Sequence, residues 1–197
     1  VKLAAIRKLC VKTRTIILFD GPDATQWICN GYAAWPVDGV RLDGDGLPAL
    51  FDLTEKQRRD FIIKQADAPD GRWSLVRVDG EEPLDELGAI WWEDALYLAL
   101  RSSRGVMLVP AELFKPVRVK DGEIGYFARW RDGRPLVAAY GDLLCAGLAI
   151  PVSDQDADAI LAAARAITRP TPFRWPKDVP EEPAEQIGLE EVEATET

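Results

Sequence analysis

The chain has 197 residues, 47% of them hydrophobic, enough for one domain of ordinary size with a proper core and a tail. It contains no histidine, which excludes Ser-His-Asp and Cys-His catalysis, imidazole general bases and His-ligated metals. The formal charge of −9 is unevenly spread: residues 176–197 hold eight acids and one base, leaving 25 acids and 23 bases in 1–175.

Cys10, Cys29 and Cys145 are odd in number and far apart, so neither a disulfide framework nor a CxxC-type zinc site can be built from them. They read as reduced core thiols, because free cysteine packs as a small hydrophobe. No apolar run reaches the roughly 18 residues of a membrane span. The apolar runs near the N-terminus are also shorter than the roughly 7–15 residues of a signal-peptide core. A cytoplasmic protein without membrane contact is the expectation.

Residues 1–14 carry five bases (Lys2, Arg7, Lys8, Lys12, Arg14) and no acid, and 1–10 read as a basic N-terminal arm. Residues 11–19 (VKTRTIILF) are rich in β-branched side chains and predict a strand, closed by the turn cluster at 20–23. Asn30-Gly31, between the apolar runs 26–29 and 32–35, is a strong hairpin signal; Pro36 is expected to stop the second run. A further short strand over 39–42 and a loop at Asp43-Gly44-Asp45-Gly46 follow. That loop looks like part of a calcium site. Placing Gly46 at the invariant sixth position, however, puts Arg41 where the first ligand belongs, and the arginine defeats it.

Thr54 and Gln57 form a capping box, predicting a helix to about residue 66 with Phe61, Ile62 and Ala66 inward. Residues 73–78 (WSLVRV) alternate and read as a strand, and 81–83 as a polar segment of one helical turn. Residues 87–110 then read as a three-stranded meander: strands over 89–92, 95–101 and 106–109, with turns at Glu93-Asp94 and 102–105. In the middle strand Leu96, Leu98 and Leu100 alternate with Tyr97, Ala99 and Arg101, the pattern of a strand with one face buried.

A second hairpin spans 126–140 and turns on Asp132-Gly133; Pro135 lacks an amide donor, which predicts an edge position. Residues 143–151 are apolar, as strand or buried turn. Ser153 and Asp156 cap a helix with Ala157, Ile160, Leu161, Ala164 and Ile167 at helical spacing, ended by Pro170 and Pro172. Residues 176–197 read as a disordered acidic tail. Each hairpin carries a Trp-x-Asp turn and is followed by an apolar run ending in proline, at Pro110 and Pro151, a weak sign of duplication.

The run 12–31 (KTRTIILFDGPDATQWICNG) resembles small accessory proteins encoded by bacterial phages and prophages. The resemblance covers about the first third of the chain and carries no catalytic motif. It implies an accessory role such as inhibition of a host defence nuclease, in the manner of an anti-CRISPR protein.

The fold expected is α+β: a mainly antiparallel sheet of meander and hairpins, two principal helices near 54–66 and 154–168, a single domain over 1–175, and the tail. The sequence predicts a non-enzymatic protein-binding accessory protein that needs no cofactor or metal and has no catalytic residues. Adjacent strand residues point to opposite faces, so one of Trp91 and Trp92 must look outward as a contact residue. Arg101 and Arg104 beside them complete the partner-binding set. The alternative is a nucleic-acid-binding module using the basic N-terminus with Lys56, Arg58, Arg59 and Lys64. A carboxylate-dependent hydrolase is the third reading, should acids scattered in sequence converge in space.

Overall fold

The computed structural model describes residues 1–21, 24–37, 41–43, 46–68, 70–117, 123–141 and 143–168. The expected tail, the prolines after the last helix and residues 39 and 40 of the expected short strand at 39–42 lie outside them; residues 41 and 42 are not in a strand.

The N-terminus is a helix, α1 (Leu3–Thr13), in place of the expected arm and of the first residues of the expected strand. Ile6, Leu9 and Cys10 stand at the i, i+3, i+4 spacing of one helical face, and all three are buried. Docking that face offsets the strand preference of Val11 and Thr13, since burying one such aliphatic side chain contributes about 1.5–3 kcal/mol. Arg14, at a left-handed φ of 52°, ends the helix, and β1 (Thr15–Asp20) begins at once. It pairs with β2 (Gln26–Cys29), which pairs with β3 (Ala33–Val37). Between them Asn30, almost fully buried, accepts hydrogen bonds on its side-chain oxygen from the Tyr32 and Ala33 amides at 3.0 and 2.8 Å, while Gly31 takes a φ of 92°. Pro36 does not stop β3. It sits opposite Trp27, beyond the two residues through which β3 meets its other neighbour, so its missing donor costs no ladder bond.

A short helix α2 (Gly46–Leu50), missed in the sequence, begins where the Asp43 carboxylate accepts from the Gly46 amide at 2.6 Å. The capping box of Thr54 and Gln57 forms and opens α3 (Glu55–Asp60). The helix then stops far short of residue 66: Ile62–Asp67 is strand β4, parallel to β1. The β-branched pair Ile62-Ile63 suits a strand, and the open edge of β1 supplies its partner.

The meander is present as β5 (Glu82–Trp92), β6 (Ala95–Ser102) and β7 (Gly105–Pro110). Glu82 and Pro83 belong to β5 and not to the expected helical turn. A 3-10 turn, Ala111–Phe114, leads towards the second hairpin, β8 (Ile124–Arg131) and β9 (Arg134–Gly141), which turns on Asp132 and Gly133, both at positive φ. β10 (Leu144–Ala149) and α4 (Asp154–Thr168) complete the chain, with the Ser153 hydroxyl capping α4 as expected.

The strands form one sheet in the order β4-β1-β2-β3-β10-β9-β8-β5-β6-β7. All the pairings are antiparallel except β1 with β4. The fold is α+β, as expected, but its long helices are α1 and α4. Contrary to the edge expected from Pro135, β9 is interior. Pro135 lies past the end of β10 and faces Trp130 in the second pair from a two-residue turn, where a ladder amide would point away from β8.

Three apolar clusters hold the layers. On one side of the sheet, Ile16, Leu18 and Ile28 meet α1, Leu47 of α2 and Phe114 of the 3-10 turn, and the far strands bend round to add Leu100 and Val109. Beyond it, α4 lays Ala157 and Ile160 on Ala99 and Leu108. The middle strand of the meander therefore buries residues on both faces, where its alternation predicted one.

The third cluster, on the opposite face around Trp27, Ala138, Tyr140 and Leu148, has none of the described helices over it. Its cover is the loop 70–81. Residues 73–78, expected as a strand, cross the sheet without joining it. Trp73 packs against Phe19 with ring centroids 4.7 Å apart and the planes tilted by 53°. The backbone of the loop is held by Arg129 of β8, whose side chain is wholly buried. Its guanidinium donates to the carbonyls of Arg72, Ser74 (2.9 Å) and Val76 (3.1 Å), to the Tyr140 hydroxyl (2.6 Å) and to the Glu81 carboxylate (2.6 Å). Asp70 anchors the start of the loop, accepting from the Arg72 amide at 2.8 Å and from the guanidinium groups of Arg72 and Arg131 at 2.9 and 3.0 Å.

Removing the guanidinium leaves Glu81 charged and buried, so Arg129→Ala is expected to cost about 3–5 kcal/mol of unfolding free energy in urea titrations. A loss below about 1 kcal/mol would show that the loop does not depend on it. Asp70 gives a second test. Partial burial raises its pKa, but the hydrogen bonds from Arg72 and Arg131 outweigh that and hold it below 3.8. A carboxylate depressed on folding stabilises above its unfolded pKa and loses that contribution as pH falls through the folded one. The stability advantage of the wild type over Asp70→Asn is therefore expected to be constant above about pH 5 and to shrink from about pH 4 downwards. An advantage independent of pH would refute the assignment.

Candidate functional site

The two tryptophans at the end of β5 divide as strand geometry requires. Trp92 turns towards α4 and packs against that cluster, whereas Trp91 looks outward and is 69% exposed. Directly across from Trp91 on β6 is Leu96, 39% exposed, and Ala89 lies on the same face. A bulge between Glu86 and Gly88 resets the alternation of β5, so that Ala89 and Trp91 share a face with Leu98 and Leu96. The result is an apolar patch on a two-stranded tip, closed by the acidic turn of Glu93 and Asp94.

The arginines assigned to the same surface are already engaged. Arg101 pairs with Asp85 at 2.9 Å, in an exposed ion pair. The Arg104 guanidinium lies 4.1 Å over the Trp130 ring, whose indole N–H donates to Glu82 at 2.9 Å. Glu82 also accepts from the Ser103 amide, which holds its carboxyl below the usual range, and this assembly fastens the β6–β7 turn to β8. Both arginines stand at the opposite end of β6 from Trp91, so the partner-binding set expected on one surface is split.

The residues of the nucleic-acid reading do not share one helix. Lys56, Arg58 and Arg59 stand on α3, with Arg58 3.6 Å from Glu55, and Lys64 is on the edge strand β4. Among the described residues, no group of three or more Cys, Asp or Glu side chains could hold a metal ion. None of the described helices is long and apolar enough to cross a membrane.

One feature escaped the sequence reading. A concavity of about 450 Å³ opens between the C-terminal end of α1, the turn after β2, the 3-10 turn and the start of α4. Leu9, Leu113, Pro110 and Val152 line its apolar part; Lys12, Glu112 and Asp156 are its charged groups. The Lys12 ammonium meets Glu112 at 2.7 Å, and the Ser153 hydroxyl donates to Asp156 at 2.6 Å. A second concavity, about 190 Å³ and lined by apolar residues such as Phe19, Trp73 and Leu136, adjoins it. The two share Gly31, Tyr32 and Ile150. Tyr32 is 61% and Ile150 48% exposed, so the border they share is itself an apolar surface. A hint lay in the sequence, in the apolar runs that end at Pro110 and Pro151, for both prolines line the larger hollow.

Compared with family models, curated proteins and solved structures, the chain matches none of them.

All three cysteines are buried thiols. Burial pushes the pKa of Cys10 up to about 12 and those of Cys29 and Cys145 to about 11. Nucleophilic attack needs the thiolate. Ellman's reagent at pH 8 is therefore expected to titrate no thiol in the native protein and all three in denaturant. A cysteine reacting within minutes in the native state would contradict this placement.

Proposed function

We propose that this protein is a non-enzymatic protein-binding module that docks its partner through the outer face of the β5–β6 hairpin. The observation that carries the reading is Trp91, an indole 69% exposed on a strand pair beside Leu96. Exposed aromatics on preorganised elements anchor interfaces, because binding removes a large apolar area from water with little loss of conformational freedom. Trp92, the next residue, packs against the α4 cluster and holds the strand that carries Trp91, which supports the reading, since a held scaffold lowers the entropy cost of docking. A phage-encoded inhibitor of a host defence nuclease is the most concrete member of this class, and its support is the resemblance over residues 12–31.

The test is affinity capture from bacterial lysate with the wild type, Trp91→Ala and the control Leu143→Ala, another exposed apolar side chain. Loss of a hot-spot aromatic costs about 2 kcal/mol or more. Recovery of the specific partner is therefore expected to reflect an affinity about thirtyfold weaker for Trp91→Ala, with Leu143→Ala unchanged. Equal recovery by all three would remove the hairpin from the interface. Salt-sensitive retention of nucleic acid that disappears in a Lys56→Glu, Arg59→Glu, Lys64→Glu variant would replace this reading with the nucleic-acid one.

A further inference from the structure

We propose that the Trp91 face binds the outer face of α1 in a second copy of this chain, the two copies making the contact reciprocally in a dimer. The proposal rests on that face being a docking surface and names what covers it.

Charge defines the occupant. Around Trp91 and Leu96 the exposed charges that form no ion pair among the described residues are all acidic. They are Glu93 and Asp94 on the turn, and Glu86, which stands opposite Leu100 on the same face. Arg101, the nearest base on β6, is already held by Asp85 at 2.9 Å. The apolar centre of the face therefore has a negative rim with no cation of its own. An occupant has to bring apolar atoms flanked by bases.

The outer face of α1 has that make-up. With Ile6, Leu9 and Cys10 turned into the core, Ala4, Lys8 and Val11 follow one another at i, i+4 and i+7 on the solvent side, all exposed. Residues 1–14 hold five bases and no acid. Arg7 and Lys12 engage Asp52 and Glu112, but Lys8 and Arg14 form no ion pair among the described residues. An indole lying along Ala4 and Val11 has the Lys8 ammonium beside it, where a cation meets both the ring and the acidic turn that carries it.

The placement allows both contacts at once. Leu98 and Leu100 share the face of Leu96 and Trp91, and they belong to the same cluster as Ile6, Leu9 and Cys10 of α1. Tip and helix thus lie on one side of the sheet. Two copies that meet on this side about a two-fold axis each give a tip and receive one. The contact is then made twice, and no unpaired half is left from which a filament could grow. Pairing tip on tip would instead set Glu93 and Asp94 against their own kind.

The experiment is sedimentation velocity on the full chain across the micromolar range in low salt. A dimer is expected, with affinity about tenfold weaker or more for Trp91→Ala, Lys8→Glu and Glu93→Lys taken singly. Sodium chloride at about 0.5 M is expected to weaken it too, since salt screens exposed charges. The Lys8→Glu, Glu93→Lys double variant is expected to recover the wild-type affinity, because it exchanges the two signs across the contact. The three replaced side chains are exposed, and circular dichroism verifies the folds. A monomer throughout, a dimer that survives the single variants, or a double variant no better than the singles would overturn the proposal. The lysate capture separates this failure from that of the wider reading. A monomer whose capture still depends on Trp91 refutes the self-association alone, and one whose capture ignores Trp91 refutes both.

Discussion

A guanidinium sealed from water must have its N–H groups met, and Arg129 meets them largely with carbonyls of a segment that has no partner strand. The carbonyls of Arg72, Ser74 and Val76 converge on the one guanidinium, so the loop curls round it, and one side chain does for the loop what a neighbouring strand would otherwise do. The Leu75 carbonyl completes the attachment by accepting from the Cys145 amide at 2.8 Å. Without this arrangement the face bearing Trp27, Ala138 and Leu148 would lie open to solvent. Glu81 balances the charge and also accepts from the Tyr140 hydroxyl, which joins the loop to β9.

That constraint explains how a sheet can be packed on both faces with so few long helices. One face takes α1 and the 3-10 turn, the other takes the loop, and α4 covers the far strands. Trp35 links two of these parts by donating its indole N–H to the Leu113 carbonyl at 2.9 Å. Gly147 allows the same close approach, since a Cβ there would stand 3.1 Å from a Val117 methyl and 3.3 Å from the Trp35 ring. Trp91 projects from the face of the β5–β6 tip that none of these covers reaches, which is why it is bare.

Local signals were legible where local chemistry decides. Thr54 with Gln57 and Ser153 with Asp156 fixed helix starts, and Asp132-Gly133 and Glu93-Asp94 fixed turns, because each depends on residues within one turn of chain. What the sequence hid was set by distant partners. Residues 62–67 look helical until the edge of β1 is available to them. Residues 73–78 alternate like a strand, but a buried arginine more than fifty positions away takes their carbonyls. Pro135 signals an edge, and it has one only locally, where β10 runs out. For the candidate sites, the alternation rule established that one tryptophan of the pair faces outward, while the bulge that aims Trp91 and Leu96 at one face could not be read. The larger hollow draws on four separated stretches of chain, and no sequence window contains it.

β3 and β10 join the two halves of the sheet through Ala33 and Ala34 against Ala149 and Leu148, with one further bond from the Ile150 amide to the Tyr32 carbonyl at 2.8 Å. The partners are more than a hundred residues apart in sequence. Such a seam is expensive in loop-closure entropy and returns few hydrogen bonds, so most of what keeps it shut is the side-chain packing on either side of it. Tyr32 and Ile150, which make its last bond, also border both hollows. Anything seated against the pair rests on both banks of the seam, and by mass action it would add its own binding free energy to the closure of the sheet.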